Sequence, residues 1–153
     1  MIRHVWTIMC RFAVNNADTN NTSLIEVLEE LTIPVPMPAQ PAMGMIPAMF
    51  DVVSLWCRED PNQPARGFGR MSLVAPGGAE LMVHDYEVNL EDLGRVRQNV
   101  RMVGFPTQSP GRYTFRVEQR EQETMPWTEC ASLPIEVKIV RPETAGQGNG
   151  QAH

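Results

Sequence analysis

The sequence predicts an all-β domain, an antiparallel sandwich of about seven to nine short strands. Two observations carry that prediction. The run Pro110-Gly111-Arg112-Tyr113-Thr114-Phe115-Arg116-Val117 is a turn that opens into strict alternation, with Tyr113, Phe115 and Val117 on one face and Arg112, Thr114 and Arg116 on the other. A strand with one dry face has this period of two. Similar apolar segments, bounded by Pro, Gly, Asn or Asp, recur along the chain.

Residues 2 to 14 place Ile2, His4, Trp6, Ile8, Cys10, Phe12 and Val14 on one face, a long first strand followed by a polar turn over Asn15 to Asn21. Residues 22 to 33 carry two signals. Ser23-Leu24-Ile25-Glu26 resembles a helix cap with Leu24, Val27, Leu28 and Leu31 at helical spacing, while Ile25, Val27, Leu31 and Ile33 alternate as in a strand. The strand reading is preferred because a lone helix would interrupt β-type signals on both sides. Residues 34 to 47 hold five prolines and read as an extended loop, since proline removes backbone donors and excludes a central strand.

Residues 48 to 58 are apolar on both faces, with Phe50, Val52 and Trp56 against Met49, Val53, Leu55 and Cys57. Such a strand is either covered twice or lends its second face to another subunit. Gly67 to Ala75 and Glu80 to Leu90 form a hairpin about Pro76-Gly77-Gly78. Arg95 to Phe105 alternates Val96, Gln98, Val100 and Met102 against Arg95, Arg97, Asn99 and Arg101. The last strand turns Trp127, Ala131, Leu133, Ile135, Val137 and Ile139 inward, with Pro134 marking an edge or bulge. Residues 141 to 153 lack apolar periodicity, so the expectation is one sandwich domain over 1–140 and a disordered tail.

The chain has 153 residues, 42% of them hydrophobic and 20% charged, with a net charge of -5. That balance is globular, and the negative charge disfavours nucleic acid and anionic membranes as partners. The N-terminal segment lacks a signal-peptide pattern. Cys10, Cys57 and Cys130 are odd in number and widely spaced, which predicts free thiols in a reducing cytoplasm.

Two marks refine the fold class. Tyr113 stands near the start of a strand, two residues before the core position Phe115, and Trp56 supplies a core tryptophan, as in immunoglobulin-like sandwiches. Phe115 stands where antibody domains carry a cysteine, which suits a cytosolic version of the fold. The stretches NNTSLIEVLEEL (Asn20 to Leu31), the proline segment from Pro34, and GRYTFRVEQR (Gly111 to Arg120) resemble a group of small bacterial proteins classed as a domain of unknown function. The resemblance implies a compact immunoglobulin-like or C2-like sandwich and brings no catalytic residues.

No nucleophile, base and orienting group stand in a recognisable order, and no nucleotide or metal motif is present. Neither an enzymatic activity nor a cofactor is therefore expected. His4 reads as a core histidine, and His84 and Asp85 face opposite ways on a strand. Asp18, Asp51, Asp60, Asp85 and Asp92 are weighed as calcium ligands and read as turn acids. Arg95, Arg97 and Arg101, and separately Arg112 and Arg116, are candidate anion-binding rows, with cross-strand ion pairs to nearby glutamates as the preferred reading. The leading functional expectation is a protein-binding or self-associating module, its surface built from Met37, Met43, Met45, Phe50, Trp56 and Trp127. The alternative is a small-ligand or glycan-binding module rimmed by the Pro/Met-rich loop 34–47.

Overall fold

The computed structural model describes residues 1–34, 44–107 and 109–140. Among these are nine strands: β1 (Ile2–Asn15), β2 (Thr22–Val27), β3 (Glu30–Pro34), β4 (Gly44–Arg58), β5 (Ala65–Val74), β6 (Glu80–Leu90), β7 (Arg95–Thr107), β8 (Gly111–Arg120) and β9 (Thr128–Val140). They form two packed sheets, ordered β2-β1-β4-β7 and β3-β9-β8-β5-β6. The tail beyond residue 140 lies outside the described residues.

The dry faces predicted by alternation meet between the sheets. Phe50, Val52 and Trp56 of β4 oppose Met71 and Leu73 of β5, Tyr113, Phe115 and Val117 of β8, and Ile135 and Val137 of β9, all nearly or fully buried. Phe50 meets Phe105 and Phe115 with ring centroids 6.3 and 6.1 Å apart. The Tyr113 hydroxyl donates to the Ser109 carbonyl four residues upstream at 2.7 Å and lies 3.0 Å from the Thr107 hydroxyl. A buried phenol left unpaired would be costly, so these bonds fix the corner between β7 and β8.

Four expectations need correction. Ile2 to Val14 do not place one row of residues on a single face, because the bulge between His4 and Trp6 leaves His4 beside Trp56 on the inner side and puts Trp6, Ile8 and Cys10 beside Leu55, Val53 and Asp51 on the outer one. The segment read as one strand over 22 to 33 is two strands in different sheets, because the chain crosses at Leu28–Glu29. Leu28 bonds back to Met9 of β1, and the Glu29 carbonyl accepts the Glu136 N–H of β9. β3 then runs parallel to β9, so the sandwich is not purely antiparallel. Finally, Gly44 to Pro47 belong to β4 rather than to a loop. Pro47 is accommodated by the bulge between Ile46 and Met49, in a stretch that β1 does not pair.

The second greasy face of β4 is covered from within the chain. β1 pairs with β4 only as far as Cys10–Asp51, and beyond that point it leaves the sheet together with β2. Glu26 has φ of 55° and forms an ion pair with Arg11 at 3.5 Å, and the β1–β2 ladder is interrupted at this pair. The resulting arm folds back over the outer face, where Ala13 N–H reaches the Asp51 carboxylate and Arg97 donates to Asn20. Asp51 and Val53, on the outward side of β4, are consequently 0% and 1% exposed.

Candidate functional site

The arm has two unlike faces. Ala13 and Leu24 are half-buried, whereas Phe12, Val14, Ile25 and Val27 are 46%, 52%, 50% and 57% exposed. Phe12 stands directly across from Ile25 and Val14 from Ser23, so Phe12, Val14 and Ile25 share one surface, while Val27, beyond the Glu26 turn, lies across from Cys10. Isolated exposed apolar residues need no explanation, but a contiguous group on one ribbon does.

Asp51 anchors the arm. It accepts the Ala13 N–H at 2.8 Å and both Arg101 Nε and Nη2, at 2.9 and 3.1 Å. The adjacent guanidinium holds its carboxyl below the usual aspartate range, despite burial that acts the other way.

Beside the arm, a groove of about 470 Å³ runs between the sheets where β2 no longer covers β1 and β3 does not yet cover β9. Ile8, Val27, Leu28, Leu133 and Pro134 line it, with Thr7 at its floor and the Arg112–Glu136 ion pair (2.6 Å) at its rim. Thr7 shares hydrogen bonds of 2.7 Å with His4 Nε2 and with Ser54 Oγ. His4 also packs edge-on against Trp56 at 5.0 Å, and burial lowers its pKa, so the imidazole is a neutral group at this end of the core. Tyr86, on the opposite sheet, is pushed up to about 12 by burial.

The predicted interaction residues scatter. Phe50 and Trp56 are 0% exposed and belong to the core, which removes them from any binding surface. Met45 is exposed, while Met37 and Met43 lie outside the described residues, as does most of the Pro/Met-rich loop. Trp127, expected to turn inward on the last strand, instead precedes β9 and lies against Arg70 and Arg120, 4.4 and 4.2 Å from its ring, on the outer face of the other sheet.

The arginines form two rows on different sheets. Arg97 and Arg101 of β7 hold the arm. Arg112 and Arg116 of β8 pair with Glu136 and Glu129. Arg95 begins β7 beside Cys57 of β4. Among the aspartates, Asp51 is bound to Arg101 and Asp85 to Arg70, and among the described residues no three acidic, histidine or cysteine side chains gather to hold a metal ion. All three cysteines are free, and burial pushes the Cys130 thiol up to about 12.

No protein-family model matches the sequence, and no curated protein matches it. Among solved structures, a family 123 glycoside hydrolase from Clostridium perfringens aligns at 7% identity and a TM-score of 0.41 over 74% of this chain. The chain spans 23% of that enzyme's length. The N-terminal domain of PorA aligns at 13% identity and a TM-score of 0.29, covering 88% of this chain and 97% of that one. Similarities at this level carry no functional argument.

Proposed function

We propose that this chain is a non-catalytic immunoglobulin-like module of the reducing cytoplasm that binds a protein partner on the outward face of its β1–β2 arm. The observation that carries the reading is the exposed cluster of Phe12, Val14 and Ile25 on a ribbon whose other face is anchored to the sheet. Binding surfaces of this kind are apolar at the centre with polar groups around them.

Several features support the immunoglobulin-like part of the proposal. β1, β4 and β7 follow one another as strands A, B and E would, and β6-β5-β8-β9 as C′-C-F-G, with β2 and β3 added. The Tyr113 bond to Ser109 has the form of a tyrosine corner. Phe50 and Phe115 meet across the sheets where antibody domains join strands B and F by a disulfide. Trp56 does not fill the expected place, since it stands on β4 rather than on the C-like strand β5. The three free thiols favour a reducing compartment.

The test is capture from native extract with identification of the retained protein by mass spectrometry. Retention by the wild type and its loss in a Phe12→Ser/Val14→Ser variant of unchanged melting temperature is the expected result. Equal retention by both proteins refutes the proposal. A second reading, binding of a small apolar ligand, is favoured by the volume and lining of the groove between β1 and β9. Leu133→Trp would fill that groove, and capture through the arm should survive the change.

A further inference from the structure

An edge strand offers a row of unpaired backbone groups to any other chain, and proteins defend such edges with charge, proline, bulges or short length. Among the described residues the sheets end at β2, β7, β3 and β6. β7 carries Arg95, Arg97, Gly104 and Pro106, and β6 carries Glu80, Asp85 and Glu87. β3 has five residues, ending in Pro34. β2, Thr-Ser-Leu-Ile-Glu-Val, has neither proline nor lysine, its one charge, Glu26, is paired with Arg11 of its own chain, and the turn at Glu26 confines the open extended edge to Thr22 through Ile25.

The free backbone groups of β2 can be identified. Ala13 N–H turns away from β2 to Asp51, and Asn16 N–H bonds the Asn21 carbonyl. The pairs Phe12–Ile25 and Val14–Ser23 therefore hold the inter-strand bonds, and Ala13–Leu24 is a non-bonded pair. It follows that Thr22 and Leu24 direct their N–H and C=O groups to the open edge.

We propose that this edge pairs with β2 of a second copy of the chain, antiparallel about a two-fold axis through Leu24. The inference rests on the reading of the arm as a docking surface and names its occupant. The match is self-complementary. Leu24 of each copy exchanges both backbone bonds with Leu24 of the other, and Thr22 falls opposite Glu26, so like charges are never opposed. On the exposed face Ile25 lies against Ser23 of the second copy and diagonally across the axis from its Ile25, which extends the apolar cluster of each arm over the junction. The product is one ribbon, β1-β2-β2-β1, shared by two molecules.

The test uses charge exchange at Ile25, which is half-exposed and tolerant of substitution. Sedimentation of the full chain should show a dimer that grows with concentration. Ile25→Lys and Ile25→Glu should each remain monomeric across the range in which the wild type dimerises. Mixed in equal amounts, they should restore a dimer that native mass spectrometry identifies as the mixed species. A wild type that stays monomeric at every concentration, or a mixture that yields no mixed dimer, overturns the proposal. Capture of a different protein through Phe12 and Val14 would then leave the broader reading of the arm standing.

Discussion

Asp51→Asn is expected to loosen the arm without disturbing the sandwich beneath it. The carboxylate is fully buried and accepts three hydrogen bonds, one from the Ala13 backbone and two from Arg101. An asparagine of the same shape keeps one carbonyl acceptor and turns an amide donor toward either the guanidinium or the Ala13 N–H. At least one of these bonds is lost. Bonds to charged groups contribute about 1.5–3 kcal/mol net, and the exposure of Arg101 to water places the cost at the lower end, about 1.5–2 kcal/mol. For a domain of this size that lowers the melting temperature by roughly 3–8 °C. Thermal unfolding measures the loss, and amide hydrogen exchange across residues 12 to 25 measures where it falls. A loss below about 0.5 kcal/mol, the range of an ordinary surface substitution, with exchange in the arm unchanged, would refute the anchoring role. The acid limb supplies a second reading. Because Arg101 depresses the Asp51 pKa, the folded chain binds fewer protons than the unfolded chain near the ordinary aspartate value. This stabilisation is present above that value and lost as pH falls through the folded one, and D51N should lack that part of the acid transition.

Other substitutions test the core. Phe115→Ala, at a fully buried position against Phe50, should cost about 3–5 kcal/mol in urea unfolding; a cost below about 1 kcal/mol would show that the site collapses without loss. Tyr113→Phe removes the hydroxyl bonded to Ser109 and Thr107 and should cost about 1–2 kcal/mol by the same assay, so unchanged stability would argue against its role in the corner. His4 is held neutral by burial, so stability should fall as pH drops below its unfolded value of about 6.5; His4→Gln should flatten that limb, and identical pH profiles would exclude the histidine as its source.

The sandwich was legible because period-two alternation reports directly on which side of a strand is dry, and Tyr113, Phe115 and Val117 are all fully buried. The same rule failed at Phe12 and Val14. They continue the row Ile2, His4, Trp6, Ile8 and Cys10 in sequence, yet the bulge between His4 and Trp6 moves that row to the outer side of the sheet from Trp6 onward, and past Cys10 β1 no longer pairs with β4. Nothing in a pattern of alternating residues marks such a bulge, since the residue left unpaired is set by the partner strand β4. Phe50 and Trp56 were misread for the complementary reason. An apolar strand face covered by its own chain looks, in sequence, like one awaiting a second chain.

A buried carboxylate explains why the arm shows its apolar side outward. Two faces of the ribbon compete for the sheet, one bearing Phe12 and Ile25 and the other Ala13 and Leu24. Hydrophobic burial alone would favour the larger set, by about 25 cal/mol for each Å² removed from water. Shifting the ribbon by one residue exchanges the faces, but it also moves the Ala13 N–H away from Asp51 and leaves a fully buried carboxylate with Arg101 alone. Losing a hydrogen bond to a charged group costs about 1.5–3 kcal/mol, comparable to the gain from burying the exposed halves of Phe12 and Ile25. Asp51 thereby selects the register, and the exposed cluster follows from its need for a backbone donor.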